Sequence, residues 1–176
     1  MENSDFGFKK DGVSITSDWD LVNQSLIEGV RTKEIKNVLK NNGVLTEVWR
    51  KSWNLDGEPV EQVFQVTLSP GEFSSWHLHE FTTDRLFVNI GTMKIVLYDT
   101  RKDSPTYGLI NEFNIGALRP MIIIIPPLVC HGIKNIGNEM ASILNLVDQA
   151  YTYQDPDHWR IPENSDLIPY SFLPKY

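Results

Sequence analysis

The chain has 176 residues, 41% of them apolar and 22% charged, which is enough for one domain with a real core and too little for two ordinary ones. A net charge of −7 argues against general binding to nucleic acid, which rests on clustered Lys and Arg neutralising phosphates. The longest apolar run, Met121–Ile125, falls far short of a bilayer span, the first residues do not open a signal peptide, and the lone Cys130 has no internal disulfide partner; a cytoplasmic protein without a membrane partner is expected.

Residues 1–26 read as an N-terminal extension, in which Ser17-Asp18-Trp19-Asp20 is placed to cap a short helix running to Ile27. From Val30 the pattern is extended. Val38-Leu39-Lys40 and the run from Val44 to Arg50 flank Asn42-Gly43, a dipeptide that signals a hairpin. Phe64, Val66 and Leu68 alternate with Gln65 and Thr67 up to the turn at Ser69-Pro70-Gly71, as a half-buried strand does. Leu86, Val88 and Ile90 alternate with Phe87 and Asn89, Gly91-Thr92 turns the chain, and residues 93–98 alternate again, predicting a second hairpin. Residues 104–108 are loop, Met121–Ile125 is a strand too β-branched and too short for a helix, and residues 141–147 form the last clear strand. Many short strands with almost no helix predict an all-β sandwich or barrel. Beyond Tyr151, prolines at 156, 162, 169 and 174 forbid regular structure and leave a Pro-rich C-terminal tail that wraps the barrel.

Three of the chain's four histidines fall in two stretches that carry the chemistry. In a strand, His77 and His79 point to one face and Leu78 to the other, so one pocket can hold both imidazoles. His131 follows an apolar run and supplies a third. Its neighbour Cys130 faces the opposite side, which disfavours a Cys-His nucleophile pair and makes Cys130 a buried thiol. Three imidazoles with Asp84 suit Zn, Fe, Mn or Ni, so one divalent transition metal held by His77, His79, Asp84 and His131 is one reading. The other is a hydrogen-bonded pocket in which His79 and Asp84 satisfy one another and His131 meets a backbone carbonyl. Tyr151, Tyr153 and Trp159 either line the pocket mouth or pin the tail. Lys134 and Asn135 are expected at a turn, and His158 on the surface.

The two histidine stretches resemble the paired motifs of the cupin superfamily, a double-stranded β-helix or jelly-roll barrel. The first motif is Gly, five residues, His-x-His, four residues, Glu, six residues, Gly; Gly71, His77, His79, Asp84 and Gly91 match it with Asp for Glu. Pro126, His131 and Asn135 match the second, with Leu128 where glycine is usual. Within cupins the chain resembles the dTDP-4-dehydrorhamnose 3,5-epimerase family over residues 27–172. The matching pieces are Ile27-Glu28-Gly29-Val30, residues 42–47, Asp99-Thr100-Arg101 followed by Ser104-Pro105-Thr106-Tyr107-Gly108, Ile125-Pro126-Pro127 with His131-Gly132, and the tail from Tyr151 to Tyr170.

That resemblance implies a cupin barrel domain with its tail over residues 27–176, a homodimer, and a nucleotide-linked sugar as partner. It also implies inversion of a sugar carbon beside a ketone, in surface polysaccharide synthesis, by proton abstraction without a metal. His77 matches the base; Tyr151 or Tyr153 is the acid, and Glu163 or Asp166 orients the base. Trp76, Arg85, His131 and Lys134 are the side chains set against the substrate. The family's lysine falls near Asp84 or Arg85, and its pyrophosphate-holding arginines fall at Asn42 and Ser74. An enolate forming beside Asp84 is repelled, so a positive charge must offset it: Arg85 reaching into the pocket, or the metal. A metal-dependent cupin acting on a small oxygenated substrate and a non-catalytic sugar-binding cupin are the alternatives.

Overall fold

Short alternating segments pair into sheets because each can bury only one face. The computed structural model describes residues 10–19, 22, 25–163 and 165–173. Its strands are β1 (Arg31–Glu34), β2 (Asn37–Lys40), β3 (Gly43–Thr46), β4 (Gln62–Leu68), β5 (Phe73–Leu78), β6 (Asp84–Ile90), β7 (Thr92–Asp99), β8 (Ile110–Gly116), β9 (Met121–Ile125), β10 (Val129–Asn135), β11 (Ala141–Val147) and β12 (Trp159–Arg160). Strands β1-β9-β6-β11-β4 form one five-stranded antiparallel sheet and β12-β5-β10-β7-β8 the other, the two walls of a jelly-roll barrel. Among the described residues the one helical segment is a single 3-10 turn at Lys51–Trp53. Of the helix expected over residues 17–27, positions 20, 21, 23 and 24 lie outside the described residues, and the rest are turn or coil.

Three apolar clusters hold the barrel. The largest lies between the sheets, where Ile95, Leu97, Ile123 and Ile143 are essentially fully buried. On the outer face of the first sheet, Phe87 and Ile122 are covered by Trp49, Trp53 and Leu55. On the outer face of the second, Trp76, Val96, Tyr98 and Cys130 lie under the tail residues Ile168 and Phe172. Burial pushes the Cys130 thiol up to about 12, so it is an inert apolar filler, as expected.

Two expectations about pairing need correction. β2 and β3 do form a hairpin, but its loop is Asn41-Asn42, because Lys40 pairs with Gly43, and the ladder ends at Thr46 well short of Arg50. β6 and β7 are not a hairpin at all. β6 pairs with β9 and β11, β7 with β8 and β10, and the chain crosses from one sheet to the other at Gly91. Gly91 has φ 75° and so little room that a Cβ would lie 2.8 Å from the Cβ of Ala141. That is the geometry of a tight arch between layers. The tail also contains a strand where prolines were expected to forbid one: Trp159 and Arg160 pair with Leu78 and His77 at the edge of the second sheet.

Candidate functional site

At one end of the barrel the inward positions change from apolar to polar. Along β6 the inner face runs Val88, Leu86, Asp84; along β10 it runs Ile133, His131; along β11 it runs Ile143, Asn145. These ends open into a cavity of about 750 Å³ that all four histidines of the chain line.

Pairing across β5 and β10 sets His77 opposite His131, with ring centroids 5.6 Å apart and planes 12° apart. The ladder then slips from His131↔His77 to Ile133↔Ser74, a bulge that places Ser74 and His77 on the same face. Ser74 Oγ and His77 Nε2 are 2.9 Å apart. The same bulge turns Ser75 and Trp76 outward, toward the tail.

His79, just beyond β5, and His131 both aim Nε2 at Asp84, at 3.5 and 3.6 Å from Oδ2. Those distances are too long for hydrogen bonds. His79 Nδ1 donates to the carbonyl of Asp157, and His131 Nδ1 lies 3.4 Å from the carbonyl of Val129. With their protons on Nδ1, both rings turn a lone pair on Nε2 toward a carboxylate oxygen. Asn145 Nδ2 donates to the other oxygen, Asp84 Oδ1, at 2.6 Å. Donor atoms of His79, Asp84 and His131 all lie within 4.8 Å of one another. These three are the residues that fit a metal. His77, expected as a fourth ligand, is engaged elsewhere.

His158 reaches in from the tail and meets His77, Nε2 to Nδ1 at 2.8 Å. Its ring also sits 5.2 Å from that of His79. Sequence reasoning put His158 on the surface; it is exposed at the mouth, yet its ring faces the site. The available signal was Asp157-His158-Trp159-Arg160, four chemically capable residues between two prolines. Asp157 fixes this segment. Its carboxylate accepts from the backbone N–H groups of Glu80, Phe81 and Thr82 at 2.7, 2.9 and 2.9 Å and from Thr82 Oγ1 at 2.8 Å. Burial alone would raise that carboxyl, but these donors outweigh it and hold it below its usual range.

Burial pushes His77 down to about 2, with His131, Arg160 and His158 adding repulsion, so the ring is neutral at ordinary pH. His131 is lowered first by burial, against a raising effect of Asp84; His158 is lowered by burial, then by His79 and Arg160.

Tyr151 and Tyr153 line the mouth as an edge-to-face pair with centroids 5.3 Å apart. Other residues expected in the site lie elsewhere. Arg85 is fully buried on the opposite face of β6, because Asp84 takes the inward position; its Nε is paired to Asp56 Oδ2 at 2.5 Å. Trp76 is buried against Tyr170 and Phe172. Lys134 donates to the carbonyl of Phe172 at 2.6 Å and anchors the tail. Asp166 is exposed and away from the cavity, and Glu163 accepts from Ser75, Ser171 and the Phe172 N–H. Arg160 is the one Lys or Arg among the described residues that lines the cavity.

A jelly-roll barrel with an imidazole-lined cavity at one end is the architecture of a cupin. The chain is 34% identical over 138 residues to the probable low-salt glycan biosynthesis epimerase Agl13 of Haloferax volcanii, covering 77% of this chain and 88% of that protein. It is 31% identical over 150 residues to the spore coat polysaccharide biosynthesis protein SpsL of Bacillus subtilis, covering 84% and 97%. Among solved structures, a dTDP sugar isomerase from Desulfovibrio desulfuricans superposes with a TM-score of 0.75 at 25% identity, covering 83% of this chain and 92% of that one. No protein-family model matches. The chain belongs to the dTDP-4-dehydrorhamnose 3,5-epimerase family of sugar epimerases.

Proposed function

We propose that this protein epimerises a nucleotide-linked 4-keto-6-deoxy sugar in the cytoplasm, in the synthesis of a surface polysaccharide. The observation that carries the reading is His77, a neutral, half-buried imidazole facing a cavity large enough for a hexose, in a chain whose relatives are polysaccharide epimerases. His77 takes the proton from the carbon beside the ketone through Nε2, and Tyr151 or Tyr153 returns one from the other face. Of the two sources of positive charge that would offset Asp84, Arg85 is excluded by its pairing with Asp56. Among the described residues Arg160 is the cation at the cavity, for the enolate or for the pyrophosphate. Incubation with dTDP-4-keto-6-deoxyglucose in deuterated water tests the reading. Deuterium at C3 or C5 is expected; its absence with every nucleotide-linked 4-keto sugar tried would reject the proposal.

One observation favours a bound cation as well. Two donors each about 2.1 Å from a tetrahedral ion lie about 3.4 Å apart, close to the separations of Asp84 Oδ2 from the two imidazole nitrogens. His79, Asp84 and His131 would hold a divalent ion, which would supply Lewis acidity beside the substrate's oxygens. About one equivalent of metal after metal-supplemented expression, lost in Asp84→Asn, is the expected result. Less than about a tenth of an equivalent overturns this part.

A homodimer accords with the β2–β3 hairpin, which pairs with no other strand of the described residues and leaves Leu39, Val44 and Leu45 exposed. Sedimentation is expected to give twice the chain mass.

A further inference from the structure

A histidine that abstracts a carbon-bound proton through one nitrogen needs its other nitrogen held, or the ring can present the wrong tautomer. No carboxylate of the described residues holds His77. Glu163 and Asp157 spend their oxygens on the tail and on the 80–82 loop, Asp84 faces His79, His131 and Asn145, and Asp166 is outside the cavity. The hydrogen-bonding partner of His77 Nδ1 is His158 Nε2, at 2.8 Å.

We propose that His158 is the positioning residue of this site, fixing the tautomer of His77, an inference that rests on His77 being the base. The backbone on both sides of His158 is pinned: Asp157 is clamped by the 80–82 loop, and Trp159 and Arg160 are laddered to Leu78 and His77. His158 is thus a held group and not a loose tail residue. A proton shared between two imidazole nitrogens belongs to one of them. If Nδ1 of His77 carries it and donates to the lone pair on His158 Nε2, the His77 lone pair is on Nε2, beside Ser74 Oγ at 2.9 Å. The abstracted proton then lands on Nε2, giving an imidazolium whose Nδ1–H remains bonded to His158. The Ser74 hydroxyl, which donates to that lone pair in the free site, rotates aside as the substrate carbon takes its place. A carboxylate partner would stabilise that imidazolium by charge; a neutral imidazole orients the ring without adding charge to a cavity that Asp84 already makes acidic.

Two arms test this. In the first, solvent deuterium incorporation into dTDP-4-keto-6-deoxyglucose is followed for the full chain and for His158→Ala and His158→Gln. His158→Ala is expected to lower kcat about 100-fold with KM within about threefold, and His158→Gln, whose amide oxygen accepts from Nδ1–H, to recover about tenfold or more. A His158→Ala kcat within about threefold of wild type, or no recovery in His158→Gln, overturns the proposal. The second arm needs neither substrate nor a variant. In 15N-histidine NMR of the wild-type protein, His77 is expected to be protonated at Nδ1, with a scalar coupling across to His158 Nε2. Protonation at Nε2, or no coupling, overturns it. Wild-type protein that exchanges no deuterium while showing that coupling would reject the epimerase reading and leave the imidazole pair standing.

Discussion

Leu128 has φ 64°, in the left-handed region where a branched side chain crowds its own carbonyl. Its backbone joins the two histidine stretches, with its N–H donating to the His79 carbonyl at 2.7 Å and its carbonyl accepting from Thr100 Oγ1 at 2.7 Å. The position therefore fixes His79 against β10, and the glycine usual there is explained by the dihedral. Leu128 is 40% exposed, so only part of its side chain is packed. Leu128→Gly is expected to stabilise the protein by about 0.5–1 kcal/mol, the relief of strain less the entropy glycine adds to the unfolded chain. Urea unfolding measures it; a destabilisation would mean that the leucine side chain holds the loop. The convergence of His77, His79, Asp84 and His131 was legible from the spacing of the two histidine motifs, since a period of two says only that 77 and 79 share a face. Which of them adjoin Asp84 was not, since the bulge in β5 that turns His77 toward Ser74 leaves no mark in a one-residue pattern.

The tail is the element that sequence reasoning described least well. Prolines 156 and 162 bracket β12, which has two residues and no alternation to read, and its partner strand lies some eighty residues earlier. The Gly91 turn misled for a related reason: two alternating runs around a glycine read the same whether the chain folds back on one sheet or arches to the other. Gly132, beside His131, is a glycine for a packing reason: a Cβ there would lie 2.8 Å from the Phe172 ring, so the barrel wall is left bare for the tail to lie on. The tail's hold on the site depends most on Asp157, with its four donors from residues 80–82. Asp157→Ala is expected to cost about 2 kcal/mol, less than the sum of four charged hydrogen bonds because water can reach the half-exposed loop. Its signature is early proteolytic cleavage within residues 150–160 while the barrel stays intact. Cleavage no faster than in wild type would show that β12 and the aromatic anchors suffice.

At the scale of the whole molecule, an apolar barrel with one acidic, imidazole-filled end ties stability to pH. His77 is held near 2 in the folded state, against about 6.5 in the unfolded chain, and burial lowers His131 as well, with Asp84 opposing. Between those values the unfolded chain binds protons that the native protein refuses, so stability falls as pH drops below about 6.5, by at most about 1.4 kcal/mol per unit for each such histidine. Asp99 acts with the same sign lower down. Burial raises its carboxyl, but donors from Arg101, Ser104 and Thr106 outweigh it, so its contribution is present above the ordinary carboxylate value and lost as pH falls through the depressed one. The net charge of −7 works the other way, since protonation relieves self-repulsion, but charges spread over an exposed surface are screened at physiological salt and the buried rings are not. The melting temperature of chelator-treated protein is therefore expected to be lower at pH 5.5 than at pH 8. The gap should narrow in His77→Gln, which keeps a polar side chain and removes the titration. A melting temperature that stays level or rises on acidification would mean that the imidazoles take up protons in the folded barrel, with Asp84 acting as their counter-ion instead of burial keeping them neutral.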